Sequence, residues 1–287
     1  MEQEEEKIIA SVDGSVGSLA VCEAAAWVAS RLKRRLLLLH TLERRQQHGA
    51  DDWSGTIGLG AQSELLERMA QLDQERGRLA MQYGKTLLTE AESRAMAHGA
   101  TNVETLLRHG DFVEALVELE AQARLMVVGK VGTDHAGEFT ALGSHIESLI
   151  RQVHTSILIT GAQFTAPQSF MLAYDGRDTA ERSLDRIIKG GLLAGLPCHL
   201  VMVGHHDTGH IDKFETATMR LKDEGYEVTS RLIDGGVTDS LLNYQRENDI
   251  GLLIMGAFAH SKVRHLFLGS NTIRMIQSSL SPLIVLR

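Results

Sequence analysis

One pattern occurs twice along the chain, and it constrains the fold more than any other feature of the sequence. A strand-like apolar run ends in Asp13-Gly14, and a similar run ends in Asp175-Gly176. Later in each half a second apolar run ends in a glycine, at Gly129 and Gly256. Because repetition of this kind indicates repeated structural units, the sequence predicts two copies of one domain in tandem.

The two copies differ in length. The opening Asp and the later Gly are 116 residues apart in the first half (13 to 129) and 81 apart in the second (175 to 256), a difference of 35. We therefore predict domains at 1–161 and 168–287, with an insertion in the first at about 44–78. The end of the insertion resembles an amphipathic extension of the next helix, which we predict at about 64–98, with Leu65, Leu66, Met69 and Leu72. Both a solvated helix and a partner-docking surface fit that pattern.

The order of patterns within each copy predicts the fold class. Apolar runs without alternation, such as 36–39 and 252–255, are typical of parallel strands covered on both faces. Helical patterns separate these runs, for example at 112–123, where Asp111 and Glu114 form a capping-box motif. Strand-helix alternation predicts a doubly wound α/β fold, in which ligands bind beyond the carboxyl ends of the strands.

Composition excludes several classes of protein. A formal net charge of −8 argues against a general nucleic-acid binder. Two cysteines cannot form a disulfide framework, which favours a reducing, cytoplasmic location. The first residues are acidic and polar, unlike a signal peptide, and no apolar run reaches 18 residues, so we expect no membrane span.

A glycine-rich segment in the second copy has the chemistry of a phosphate site. Gly256 ends an apolar strand, and after a loop Gly269 and Ser270 open the last helix. The free N–H groups at a helix start suit an anion, and Asp175 at the end of the first strand suits a ribose hydroxyl, an adenine amine or Mg²⁺. Turn glycines and an ordinary Ser270 N-cap explain the same spacing.

This segment and the Asp-Gly pair carry a resemblance to a known family. The spacing Gly-x2-Gly-x9-Gly-Ser/Thr after the fourth strand resembles the signature of the universal stress protein family, over both copies except the insertion. The resemblance implies, for each copy, a Rossmann-like or flavodoxin-like domain with a five-stranded parallel sheet and helices on both faces. It also implies a role in stress response, with ATP or AMP bound in some members and no nucleotide in others.

The two copies depart from that signature differently. In the second copy Ala259 replaces the second glycine. In the first copy ten residues rather than nine separate Gly132 from Gly143, and Ser144 with Glu147 forms a capping-box motif that would use the serine hydroxyl and bring negative charge. We therefore expect nucleotide mainly in the second copy.

The resemblance carries over to particular positions. In the second copy it assigns Asp175 and Val203 to the ribose and adenine, and Gly236 to the edge of the base pocket. The ribose and phosphates would contact Gly256, Ala259, His260, Gly269, Ser270 and Asn271. In the first copy the weaker counterparts are Asp13, Gly129, Gly132, Gly143 and Ser144.

No catalytic residue and no metal ligand is assigned. His206 and His210 have a metal-ligand spacing if they are helical, but Asp207 and Gly209 indicate a loop. His260 is the one candidate base, and it has no evident orienting partner.

Three functions stay open at this stage. The first is a sensor or regulator that binds an adenine nucleotide, ATP or AMP, with Mg²⁺ as an accompanying ion. The second is an enzyme that slowly hydrolyses ATP or transfers adenylate, and the third is a nucleotide-free scaffold for protein partners. In each case we expect the closing strands, 157–160 and 283–286, to lie side by side, so that the two copies form a pseudo-dimer. A homodimer and a regulatory protein are the further partners that we consider.

Overall fold

Strands and helices alternate along both halves of the chain. The computed structural model describes residues 6–43, 59–130, 142–204, 207–257 and 270–287. The first half contains β1 (Lys7–Ser11), α1 (Ser18–Leu32), β2 (Leu36–Leu42), α2 (Leu59–Ala97), β3 (Val103–His109), α3 (Phe112–Leu119), β4 (Ala123–Gly129), α4 (Leu142–Gln152) and β5 (Ile157–Thr160). The second half contains β6 (Phe170–Ala173), α5 (Asp178–Gly190), β7 (Cys198–Val203), α6 (Thr208–Asp223), β8 (Val228–Ile233), α7 (Val237–Glu247), β9 (Leu252–Gly256), α8 (Ser270–Ser278) and β10 (Leu283–Leu286).

All ten strands belong to one sheet, in the order β3-β2-β1-β4-β5-β10-β9-β6-β7-β8. Within each half the strands are parallel, and the two halves meet where β5 and β10 pair antiparallel. The α/β fold with two tandem Rossmann-like domains is therefore confirmed, and so is the adjacency of the closing strands. The domain boundaries at 1–161 and 168–287 stay a prediction.

Each strand is covered on both faces, which explains the unbroken apolar runs. Ile8 and Ala10 pack into a core formed with α1, α2, α5 and α6, whereas Ile9 between them packs into a second core formed with α3, α4, α7 and α8. Side chains alternate between faces along a strand, so both faces need apolar residues. Fully burying one such aliphatic side chain contributes about 1.5–3 kcal/mol, and the strands contribute residues to both cores.

The seam between the halves is as apolar as the cores. Leu283 lies opposite Ile159, Ile284 opposite Leu158, and Val285 opposite Ile157, and all the residues of both strands are buried. The outer strands of the described sheet, β3 and β8, are instead partly exposed and carry charged side chains such as Glu104 and Arg231. Charge on an edge strand discourages pairing with another chain, so the sheet ends where its sequence becomes polar.

Two cations bind helix ends across the seam. Lys130, directly after β4, donates from Nζ to the carbonyl oxygens of Gln277 and Ser279 at the end of α8, the latter at 3.1 Å. Arg287, directly after β10, donates to the carbonyl oxygens of Ile150 and Val153 at the end of α4. The last carbonyls of a helix lack intrahelical partners and carry partial negative charge, so each half stabilises a helix of the other.

Two of the predicted helices have different bounds. Asp111 caps α3 as expected, because its carboxylate accepts from the backbone N–H groups of Val113 and Glu114. The helix nevertheless ends at Leu119 and not at 123, because a 3-10 turn follows and Ala123 joins β4 opposite Lys7. Strand pairing outweighs the helical pattern there. The long α2 begins at Leu59, five residues before the predicted start. In the described part of the chain, no helix is both long and apolar enough to cross a bilayer.

The seam yields a first prediction. Residues 1–161 expressed alone would leave the buried β5 as an exposed apolar edge, so we expect a dimer or an aggregate. Light scattering after size-exclusion chromatography measures this, with the full chain as the control. A stable, soluble monomer of the fragment would contradict the dependence of each half on the other.

Candidate functional site

The predicted ligand residues of the second half lie along one edge of the sheet. β9, β6, β7 and β8 are parallel neighbours in that order, so their carboxyl ends lie side by side. Gly256 ends β9, Asp175 follows β6, Val203 ends β7 and Gly236 caps α7. The chain leaves β6 and β9 toward opposite faces of the sheet, and the gap between two such strands is where ligands bind in this kind of fold.

The start of the last helix is held at the same edge. The buried Thr272 donates from Oγ1 to the carbonyl oxygen of Ala257, 3.4 Å away, and thereby ties the first turn of α8 to the end of β9. Ser270 is the first residue of α8, and both Ser270 and Asn271 are exposed there. The predictions for Ala259, His260 and Gly269 lie outside the described residues.

Asp175 is held by the loop around it and still faces solvent. Its Oδ1 accepts from the backbone N–H of Arg177 at 3.1 Å, and its Oδ2 lies 3.4 Å from the Arg177 guanidinium. The carboxylate side chain is 38% exposed. A carboxylate oriented in this way at a strand end can accept a hydrogen bond from a ligand hydroxyl or amine.

Gly176 lies beneath two basic side chains that sequence reasoning missed. Lys213 donates from Nζ to the Gly176 carbonyl oxygen at 2.9 Å, and the His210 ring lies 3.2 Å from the place that a Cβ on Gly176 would occupy. Gly176 has φ +70°, which favours glycine. The spacing from His210 to Lys213 is one helical turn, so a helix prediction over this segment would have brought both to the sheet edge.

His210 lies in the first turn of α6, and His206 lies outside the described residues. Asp207 is the N-cap of α6, and its carboxylate accepts from the backbone N–H of His210 and lies 2.6 Å from His210 Nδ1. These hydrogen bonds from His210 hold the pKa of Asp207 below its usual range. The loop prediction was wrong for Gly209 and His210, because the Asp207 cap starts a helix at Thr208 despite the glycine. Among the described residues no group of three or more His, Cys, Asp or Glu side chains could hold a metal ion.

In the first half the corresponding aspartate, Asp13, forms hydrogen bonds within its own loop. Asp13 accepts at Oδ1 from the Ser18 hydroxyl and from the backbone N–H of Ser15, both at 2.9 Å. The Ser18 hydroxyl in turn accepts from the N–H groups of Asp13 and Gly14. Position 180, the equivalent of Ser18, is an alanine, so the second half has no such closed network.

An aromatic ring covers the same loop in the first half. The Tyr83 hydroxyl occupies the space into which a Cβ on Gly14 would project. The Tyr83 ring also meets the His40 ring edge-on, with centroids 6.3 Å apart, and the buried His40 bonds to the carbonyl oxygen of Val12. Tyr83 therefore contacts the Asp13-Gly14 loop from one side, although Tyr83 itself is 54% exposed.

The first-half phosphate motif also differs from the sequence prediction. Gly129 ends β4, but Lys130 after it is directed to α8 rather than to the cleft. Gly143 and Ser144 lie inside α4, which starts at position 142, so the capping-box interpretation of Ser144 was wrong. Glu147 forms a salt bridge with Arg151 one turn further along. Gly132 lies outside the described residues.

The fold and this edge define a class of protein: two doubly wound α/β units joined strand to strand, with polar loops at the strand ends where such units bind ligands. The Universal stress protein family matches residues 5–161 and 204–287, which is more than half of the chain. The chain belongs to the universal stress protein family and carries two of its domains in tandem.

Two members of this family match nearly the full length of this chain, and a third matches part of it. Universal stress protein Slr1230 of Synechocystis sp. is 30% identical over 284 residues, which is 98% of this chain and 99% of that protein. The crystal structure of a universal stress protein from Archaeoglobus fulgidus DSM 4304 has a TM-score of 0.71 at 17% identity and covers 99% of this chain and 97% of its own. A universal stress protein from Archaeoglobus fulgidus in complex with dAMP covers 42% of this chain and 98% of its own, with 21% identity and a TM-score of 0.34. The tandem fold is therefore shared from end to end with another member.

The glycines at this edge yield a second prediction. A Cβ on Gly256 would lie at ordinary contact distance, 3.5 Å, from Thr179, whereas a Cβ on Gly235 would lie 2.9 Å from Ser240 Oγ at φ +120°. We expect Gly235→Ala to lower the free energy of unfolding by about 1–3 kcal/mol. Gly256→Ala should leave it unchanged or raise it by up to about 1 kcal/mol. Urea unfolding of both variants measures this, and equal stability would contradict the backbone geometry of the 234–236 turn.

Proposed function

We propose that this protein binds an adenine nucleotide in the cleft of its second half and acts as a stress-response sensor or regulator. The observation that carries the proposal is the difference between the two clefts. At the second-half edge the 38% exposed carboxylate of Asp175 and the start of α8 lie at neighbouring strand ends, whereas in the first half the Asp13 carboxylate is hydrogen-bonded to Ser18 and the Tyr83 hydroxyl contacts the loop.

The second-half edge offers complementary chemistry to each part of a nucleotide. Asp175 would accept from the ribose or the adenine amine, and the backbone of Val203 and Gly236 would border the base. The first-turn N–H groups of α8, with Ser270 and Asn271, would hold phosphate. Lys213, near the same loop, adds positive charge, which favours an anionic ligand.

ATP and AMP both suit this arrangement, with Mg²⁺ as an accompanying ion of ATP. His210, with Asp207 as an orienting partner, contacts the Asp175-Gly176 loop. This loop is at the adenine end of the proposed site, away from the start of α8 where the phosphates would bind. A general base for hydrolysis must reach the phosphates, so the position of this pair favours binding over turnover. We propose a cytoplasmic location for this function.

The nucleotide content of the purified protein tests the proposal. We expect chromatography of the denatured full chain to detect ATP, ADP or AMP, and titration with ATP and Mg²⁺ to give one site per chain. Two equal sites would contradict the asymmetry between the halves. Absence of both co-purified and titratable adenine nucleotide would favour the nucleotide-free scaffold instead.

A pair of matched serine variants locates the site. Ser270→Ala removes one charge-assisted hydrogen bond to phosphate, so we expect its affinity for ATP to fall about ten- to hundredfold, equivalent to about 1.5–3 kcal/mol. Ser144→Ala, at the corresponding position of the first half, should bind ATP like the wild type. Isothermal titration calorimetry measures both. If Ser144→Ala abolishes binding while Ser270→Ala retains it, the nucleotide lies in the other half.

A further inference from the structure

The first part of α2 projects from the body of the protein. This helix has 39 residues, and every residue from 67 to 79 is exposed, whereas Gly84, Leu88, Ala91 and Ala95 further along are buried against the sheet. The exposed stretch is about 20 Å long at 1.5 Å per residue. No other described helix has so long a fully exposed stretch.

The projecting stretch carries a coiled-coil repeat. Met69, Leu72, Arg76 and Leu79 are spaced alternately three and four residues apart, which places them on one stripe of the helix. The three apolar members are 43%, 52% and 59% exposed, so no described part of the chain covers them. We call this stripe the α2 seam. Tyr83 continues the spacing, but its hydroxyl lies over Gly14, so the seam ends where the helix reaches the body.

We propose that the α2 seam binds the α2 seam of a second copy of this chain, as a short parallel two-stranded coiled coil. The charges beside the seam support this partner and this orientation. Met69 and Arg76 are the first core positions of their repeats. In a parallel pair, the residue directly before such a position faces the residue five places further along the partner helix. Here that rule brings Arg68 opposite Asp73 of the second copy, twice by symmetry, and places Arg76 beside Glu75 of the second copy.

The antiparallel alternative opposes like charges. With the same overlap it would set Glu75 against Glu75 and Asp73 against Asp73, and like charges in such positions destabilise the pair. Within one chain Arg76 already lies 3.8 Å from Asp73, where exposed side chains interact weakly. Gly77 lies off the stripe and lowers the helix propensity of this stretch.

The expected complex is therefore weak and depends on concentration. A pair of seams with three apolar layers, and one layer in which Arg76 faces Arg76 of the second copy, buries less surface than a stable dimer requires. The interaction is independent of nucleotide, because the seam lies in the first half and away from the second-half edge. Failure of the proposed nucleotide function would leave it unaffected.

Analytical ultracentrifugation of the full chain between about 1 and 100 µM tests the proposal. We expect a monomer–dimer equilibrium in the wild type and a monomer throughout for the double variant Leu72→Glu, Leu79→Glu. Gln74→Glu, which changes a residue on the opposite side of the same helix, is the matched control and should dimerise. Because all three positions are exposed, circular dichroism should show unchanged folding. A wild-type monomer at 100 µM, or a dimer that survives the double variant, would overturn the proposal.

Charge reversal tests the orientation. Arg68→Glu alone and Asp73→Arg alone should each weaken the dimer by about threefold or more, while the double variant Arg68→Glu, Asp73→Arg should restore it. Leu79→Cys should form a disulfide between two copies under mild oxidation, because equivalent core positions meet in a parallel pair. The native Cys22 and Cys198 are buried, which raises the pKa of their thiols to about 11 and about 12, so they do not compete. A disulfide that forms only between Leu79→Cys and Met69→Cys chains would show the antiparallel arrangement and overturn the parallel one.

Discussion

The backbone ladder between β5 and β10 is the interaction on which the rest of the molecule depends. Each of these strands closes one half, and each would otherwise present an apolar edge with unpaired N–H and C=O groups. Pairing satisfies both edges at once and makes one sheet out of two. It also brings α4 beside α8, so that Lys130 and Arg287 can each reach a helix end in the opposite half.

Because β5 and β10 are antiparallel, the carboxyl ends of the strands of the two halves lie at opposite edges of the sheet, and the two edges differ. In the first half, Asp13 bonds to Ser18 and the Tyr83 ring covers the loop. In the second half, the Asp175 carboxylate contacts its own neighbour Arg177 and is 38% exposed. An alanine stands at the position of Ser18 in this half, and Lys213 and His210 rather than a tyrosine lie over the glycine of the loop. The Asp13 carboxylate is therefore engaged by a side-chain hydroxyl that has no counterpart at position 180.

Much of this architecture could be predicted, because strand burial and repetition leave strong patterns. The apolar runs at 36–39 and 252–255 predicted strands covered on both faces, and the short closing strands predicted the seam. What could not be predicted depends on tertiary contacts. Ala123 continues a helical stripe, yet pairs in β4. Tyr83 resembles any surface residue of a long helix until α2 places it over Gly14. The start of α4 at position 142 displaced Ser144 from the cap that its sequence context suggests.

Covalent joining of the halves removes a constraint that symmetric assemblies obey. In a homodimer every side chain occurs in both subunits, so a residue that closes one cleft closes the other as well. Here β5 and β10 pair as they would in such a dimer, but the chain contains a single Tyr83 and a single Lys130, both in the first half. The seam therefore preserves the geometry of a pair while each half is free to specialise. The first half carries the projecting stretch of α2, and the second half carries the edge at which the Asp175 carboxylate is partly exposed.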